Sequence, residues 1–191
     1  MNNKPSLVPT ASQTVGPYLH LGLTDTRSVA CLVNSKTSGE RIHLTCRVFD
    51  GDSVPVPDAM IELWQADPNG DYKSADSVKD SERFCGFGRS ATDDAGACTF
   101  ETIKPGRVPG PRGTLQAPHL NVSVFGRGLL NRLATRIYLA GDSANREDSV
   151  LALVPENRRT TLLCHEDPAR PGSWSFDIHL CGDSETVFFD V

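Results

Sequence analysis

No stretch of this chain reaches the roughly 18 consecutive apolar residues of a membrane-spanning helix, so none is expected. The opening "MNNKPSLVPTASQTVG" has no apolar core and does not read as a secretory signal. Basic residues are in deficit, 19 against 24 acidic, for a net charge of -5. That balance speaks against a nucleic-acid surface, because phosphate contacts need concentrated positive charge. The six cysteines (31, 46, 85, 98, 164, 181) contain no C-x-x-C pair. Without a leader, they read as free buried thiols rather than disulfides, and the expected location is the cytoplasm. Aromatics make up 7% of the chain, with only three tyrosines.

What is present is a series of short apolar or alternating runs. They are "RIHLTCRVFD" (41–50), "AMIELWQA" (59–66), "ACTFETI" (97–103), "HLNVSVFG" (119–126), "TRIYLAG" (135–141), "TTLLC" (160–164), "WSFDIHLC" (174–181) and "ETVFFDV" (185–191). Turn-rich pieces such as "DGDSVPVPD", "ADPNGDY", "TDDAG" and "KPGRVPGPRG" separate them. Many short strands between Gly, Pro and Asp turns predict an all-β fold, a β-sandwich over residues 41–191. Residues 1–40 show little periodicity and read as an extended N-terminal arm. "REDSVLALVPENRR" has room for one short helix.

Two places carry candidate metal chemistry. In "APHLNVSVFG" the period-2 alternation puts His119 and Asn121 on one strand face. Two imidazoles so spaced present themselves to a metal, but here the second position is an amide. In the C-terminal third, "CH" (164–165) and "HLC" (179–181) offer His179 and Cys181 on one face, with either Cys164 or His165 joining them, a set able to hold zinc. Core cysteines beside surface histidines is the preferred reading. Asp58, Glu62 and Asp67 cluster about the "ELWQAD" strand and read as turn and interface residues rather than general acids.

The ordered set "SQTVGPYLHLGL" (12–23), "VPVPDAMIELWQADPNGDY" (54–72), "GFGRSATDDAGACTFETIKPG" (86–106), "APHLNVSVFGRG" (117–128) and "TRIYLAGD" (135–142) resembles the intradiol ring-cleavage dioxygenases, from about residue 8 to the C-terminal "ETVFFDV". The resemblance implies a β-sandwich of that family's type and a non-haem ferric iron held by two tyrosines and two histidines, since hard Fe(III) favours phenolate ligands. It also shows where this chain departs. One histidine ligand becomes Asn121, one tyrosine becomes Val108, and no tyrosine stands between residues 73 and 107 for the other. Tyr72 matches a tyrosine that is no ligand. Only His119 remains of the four, so the resemblance implies a vestigial metal site and a chain inactive by itself.

Heteromeric members of the family pair such an α chain with an iron-bearing β chain. The resemblance therefore implies that Fe(III) sits in the partner β subunit, that the arm 1–40 contributes to the subunit interface, and that the αβ units form a larger hetero-oligomer. Thr14, Gly16 and Pro17 match positions lining the shared pocket, and Arg127 matches an arginine approaching the substrate. A guanidinium suits the ring carboxylate of a small aromatic acid such as protocatechuate, which O2-dependent cleavage converts to 3-carboxy-cis,cis-muconate; such a contact is worth about 1.5–3 kcal/mol. A sulfonated ring, as in 4-sulfocatechol, satisfies the same group. The rival reading is a β-sandwich binding module with no enzymatic role. The apolar arm speaks against it, because it needs a surface to cover.

Overall fold

The computed structural model describes residues 8–25, 28–72 and 84–191. Eight strands account for the architecture: β1 (Arg41–Phe49), β2 (Met60–Gln65), β3 (Phe87–Ala91), β4 (Ala97–Ile103), β5 (His119–Phe125), β6 (Leu133–Leu139), β7 (Leu163–Glu166) and β8 (Ser173–His179). They form one hydrogen-bonded sheet in the order β3-β2-β5-β6-β7-β8-β1-β4. Neighbours run antiparallel except β6–β7 and β1–β8. The all-β expectation holds. Where the sequence suggested two packed sheets, hydrogen bonding runs on through β7, which pairs β6 on one side and β8 on the other. The sheet curls into a near-barrel, and the Phe100 ring of edge strand β4 packs against the backbone of Gly88 in edge strand β3.

Alternation explains the core. In β1 the side chains of Ile42, Leu44, Cys46 and Val48 are buried, while Arg41, His43 and Arg47 point away. In β5 the inward set is Leu120, Val122 and Val124, packed with Leu63, Phe100, Ile137 and Phe176. At about 1.5–3 kcal/mol for each fully buried large aliphatic or aromatic side chain, this interior is the main stabilising term. All six cysteines are free thiols, but only Cys46, Cys98 and Cys164 are buried as expected; Cys85 is partly exposed, and Cys31 and Cys181 are exposed because they lie outside the sheet core.

The gap between the two edge strands is stitched by residues 28–32. Val29 exchanges two backbone hydrogen bonds with Arg89 of β3, at 2.7 and 3.0 Å. Two residues on, Glu101 of β4 donates to the Ala30 carbonyl and accepts from Leu32 N–H, at 2.9 and 2.8 Å. The Leu32 side chain is buried in the core. Further back, residues 20–24 form one short π-type turn.

Three details differ from the sequence reading. The helix expected in "REDSVLALVPENRR" is instead a run of short 3-10 turns, Ser143–Glu147, Leu151–Leu153 and Glu156–Leu162. Asp148 breaks the helix because its carboxylate accepts from Val150 and Leu151 N–H, and Pro155 supplies no donor. The third turn also takes the first half of "TTLLC", and "ETVFFDV" makes only one bridge, Phe189 to Ala134. Strand β3 escaped notice because "GFGRSA" has no alternation. The turns 143–162 lie over the sheet and build a second cluster from Ala117, Tyr138, Ala144, Leu151, Val154 and Leu162.

Candidate functional site

The arm meets the sheet at the turn between β5 and β6. Thr14 Oγ1 accepts from Gly128 N–H at 2.8 Å and donates to the Gly126 carbonyl at 3.4 Å, pinning the arm on either side of Arg127. Leu19 N–H donates to the Gly16 carbonyl, closing the turn that contains Pro17. The outcome is a cleft of about 540 Å³ lined by Val15, Gly16, Pro17, His20, Leu21, Asp58 and Arg127. Of the four residues picked from the sequence, Gly16, Pro17 and Arg127 line this cleft and Thr14 holds it together.

The cleft is mostly apolar with polar groups at its rim. Arg127 donates to Asp58 Oδ2 at 2.9 Å, with the side chains 73% and 49% exposed. An ion pair this exposed is worth about 0–1 kcal/mol, so the guanidinium is readily redirected to another anion. Asp58 stands at φ 66°, a left-handed position that Asp tolerates in turns. Its place opposite Arg127 was not visible in the sequence. His20 Nε2 is buried beside the cleft, with no hydrogen-bond partner among the described residues. Around the arm, Tyr18 and Leu21 are 81% and 60% exposed, and Leu130 of the neighbouring turn is 60% exposed.

The relic metal positions lie elsewhere, on the outer face of β5. His119 faces outward yet is buried, because the 3-10 turns cover it. Its Nδ1–H donates to the Ala117 carbonyl at 2.8 Å, and its ring tilts against Tyr138 at 5.7 Å. Burial, then the Arg136 guanidinium, push its pKa down to about 4 against opposition from the Ala117 carbonyl and Asp148, so the ring stays neutral. Asn121 spends its amide N–H groups on Tyr72 Oη at 2.9 Å and the Trp64 carbonyl at 3.3 Å. Tyr72 stacks on Trp64 and is raised by burial, so its phenol keeps its proton. Val108 is buried and offers no donor atom.

The cross-strand register brings in a group the sequence reading missed. Arg136 of β6 pairs with Asn121, as Tyr138 pairs with His119. Arg136 donates to Gln116 Oε1 at 2.7 Å and sits 3.4 Å from Tyr138 Oη. These positions do not fit ferric iron: a neutral amide, an aliphatic chain, a protonated phenol and a nearby guanidinium. Among the described residues no group of three or more His, Cys, Asp or Glu side chains is arranged to hold a metal. Residues 73–83, within the stretch searched for the remaining tyrosine, lie outside the described residues.

The alternative zinc set does not converge. Cys164 points into the core, with its thiol pushed up to about 12 by burial, while His165 is exposed on the opposite face. His179 stacks on Phe49 at 5.2 Å, and Cys181 is exposed in the following loop. Glu62 is bound by Arg89 at 2.8 Å, and Asp67 accepts from Asn69 and Asp71 N–H in a turn, in keeping with structural roles.

A family model described as Dioxygenase matches residues 15–182, nearly the whole chain. The chain belongs to the intradiol ring-cleavage dioxygenase family. Two curated relatives of this intradiol-family chain are protocatechuate 3,4-dioxygenase alpha chains. The one from Pseudomonas putida is 39% identical, covering 96% of this chain and 97% of its own. The one from Burkholderia cepacia is 40% identical, covering 97% and 99%. The protocatechuate 3,4-dioxygenase beta chain of Burkholderia cepacia is 35% identical over 80% of this chain and 69% of its own length. Among solved structures, the dioxygenase domain of a dioxygenase–carbohydrate-binding fusion from Streptomyces sp. SirexAA-E superposes with a TM-score of 0.63 at 26% identity, covering 94% of this chain and 100% of that one.

Membership gives the two regions of this intradiol-family chain their meaning. On the outer face of β5, His119 is buried, while Asn121 has Arg136 as its cross-strand neighbour. The arm cleft, by contrast, is open. Among the described residues no helix is long and apolar enough to cross a membrane.

Proposed function

We propose that this chain is the non-catalytic α-type subunit of a heteromeric protocatechuate 3,4-dioxygenase, assembled with a β subunit that binds the ferric iron. The observation that carries the reading is the cleft in which the arm residues Gly16 and Pro17, anchored by Thr14, face Arg127. An alpha-named chain in two species matches from end to end, and a beta-named chain matches in part. In the assembled enzyme this cleft forms one wall of the substrate pocket. Arg127 exchanges the Asp58 carboxylate for the ring carboxylate of the catechol, holding the acid end while the hydroxylated end meets the partner's iron. The iron supplies the electronic activation of the ring; this chain supplies orientation and charge. Its arm, with Tyr18 and Leu21 exposed, is the part that seats on the partner, and the two halves of the sheet serve as the layers of a sandwich. The complex works in the cytoplasm, where its free thiols are stable.

The test is kinetic. Arg127→Ala in the assembled enzyme lowers kcat/KM for protocatechuate by about 10- to 100-fold, the equivalent of about 1.5–3 kcal/mol for a charge-assisted contact. Iron content and turnover of catechol without a carboxylate stay the same. Loss of iron, or equal rates on protocatechuate, overturns the role given to Arg127. A complex preferring 4-sulfocatechol would keep the arginine's role and change the ring acid. A stable, lone chain with no iron-bearing companion would instead mark a binding module.

A further inference from the structure

We propose that the pocket beside Asn121, on the outer face of β5 and β6, binds a small hydroxylated organic carboxylate, held by Arg136 and Arg132. The pocket measures about 370 Å³ and includes Asn121, Ser123, Arg132, Arg136, Phe189 and Asp190 in its wall. That size is at the lower end for small-molecule sites and suits a single-ring or short-chain acid rather than a nucleotide.

The charge pattern identifies the ligand. Arg136 is half-buried, and its side chain donates to neutral groups, the Gln116 amide oxygen and the Tyr138 hydroxyl. Among the described residues Arg41, Arg47, Arg89, Arg107, Arg127 and Arg170 form ion pairs; of the arginines that form none, Arg158 and Arg159 donate to backbone carbonyls, and Arg132 and Arg136 are the two that line this pocket. A guanidinium withdrawn from water without an anion loses solvation and gains nothing in return; a carboxylate restores that balance through paired N–H···O bonds. Three anionic groups are nearby. Asp190 and Val191, which carries the terminal carboxylate, are on the pocket wall and form no ion pair with either arginine, and Asp148 lies beyond Tyr138 with its oxygens committed to Tyr138 and the backbone. Asn121 has its N–H groups engaged with Trp64 and Tyr72, which leaves its Oδ1 as an acceptor for a ligand hydroxyl. Phe189 supplies an apolar wall for the ligand body. The site lies on the outer face of β5 and β6, apart from the arm cleft, and stands whether or not the chain joins a catalytic assembly.

The experiment is a calorimetric titration of the full-length chain, in the assembly state in which it purifies, with 4-hydroxybenzoate, benzoate and phenol. A saturable class of sites, one per chain, is expected for 4-hydroxybenzoate, with benzoate weaker and phenol not detected. Arg136→Gln weakens that class by about ten-fold or more, and the exposed Arg132→Ala weakens it several-fold without touching the fold. Arg127→Ala, in the arm cleft, leaves it as it was. No saturable class, or one abolished by Arg127→Ala and kept in both Arg132→Ala and Arg136→Gln, overturns the proposal.

Discussion

Asp148→Asn is a sharp test of how the relic face is held together. The Asp148 carboxylate is fully buried. Its Oδ1 accepts from Tyr138 Oη, Val150 N–H and Leu151 N–H at 3.1, 2.9 and 2.7 Å; its Oδ2 accepts from Ala117 N–H at 2.8 Å. One side chain thus joins Ala117, two residues before strand β5, the strand β6 tyrosine and the turn that follows Asp148. An asparagine keeps one oxygen but turns an amide N–H₂ toward Ala117 N–H, donor against donor. The orphaned, buried N–H costs about 1–3 kcal/mol. Each of the three surviving bonds loses its charge assistance, about 1 kcal/mol apiece before relaxation. Flipping the amide is worse, since it orphans two backbone donors to rescue one. The expected loss is about 3–5 kcal/mol, a large share of a domain's stability. Urea denaturation read by tryptophan fluorescence measures it, with an unchanged slope as the sign that only stability moved. A loss under about 1 kcal/mol would refute the reasoning, because it would mean that these four contacts are replaced at no cost by water.

Two further outcomes are expected. His119, held near 4 when folded against 6.5 unfolded, contributes stability that is complete above pH 6.5 and is lost as pH falls toward 4, on the order of 3 kcal/mol; His119→Gln flattens that part of the stability–pH curve, and an equally steep curve in the variant contradicts the assignment. Val29→Pro removes the donor to the Arg89 carbonyl and lowers stability by about 1–3 kcal/mol in the same urea assay, while Val8→Pro on the exposed arm is neutral.

The strands with strict alternation, β1 and β5 above all, were legible because one face of each is buried and the other is not. Strand β3 was not, because its glycines leave no hydrophobic signature and its pairing comes from neighbours far along the chain. The 143–162 turns misled for a related reason. Their apolar residues recur at helical spacing, but a side-chain carboxylate and a proline spend the backbone donors differently. Thr14, Gly16, Pro17 and Arg127 were picked through their resemblance to a family pattern, and the fold brings them together around one cleft. Asp58 and Arg136 stayed hidden. Each acquires its place only through a long-range pairing, Asp58 across to Arg127 and Arg136 opposite Asn121, and no local pattern encodes either.

The stitch at residues 28–32 sets an order on folding. That segment leaves the ribosome early, yet the two strands it joins are completed only after residue 103. Until both edges exist it has nothing to pair with, so its docking comes late and closes a long loop. During that interval β3 and β4 present open hydrogen-bonding rows, the condition under which one chain adds a strand to another. The same short segment also carries the arm. A chain whose seam is open therefore holds its arm at Thr14, through Gly126 and Gly128, and gains a second tether only when the seam shuts.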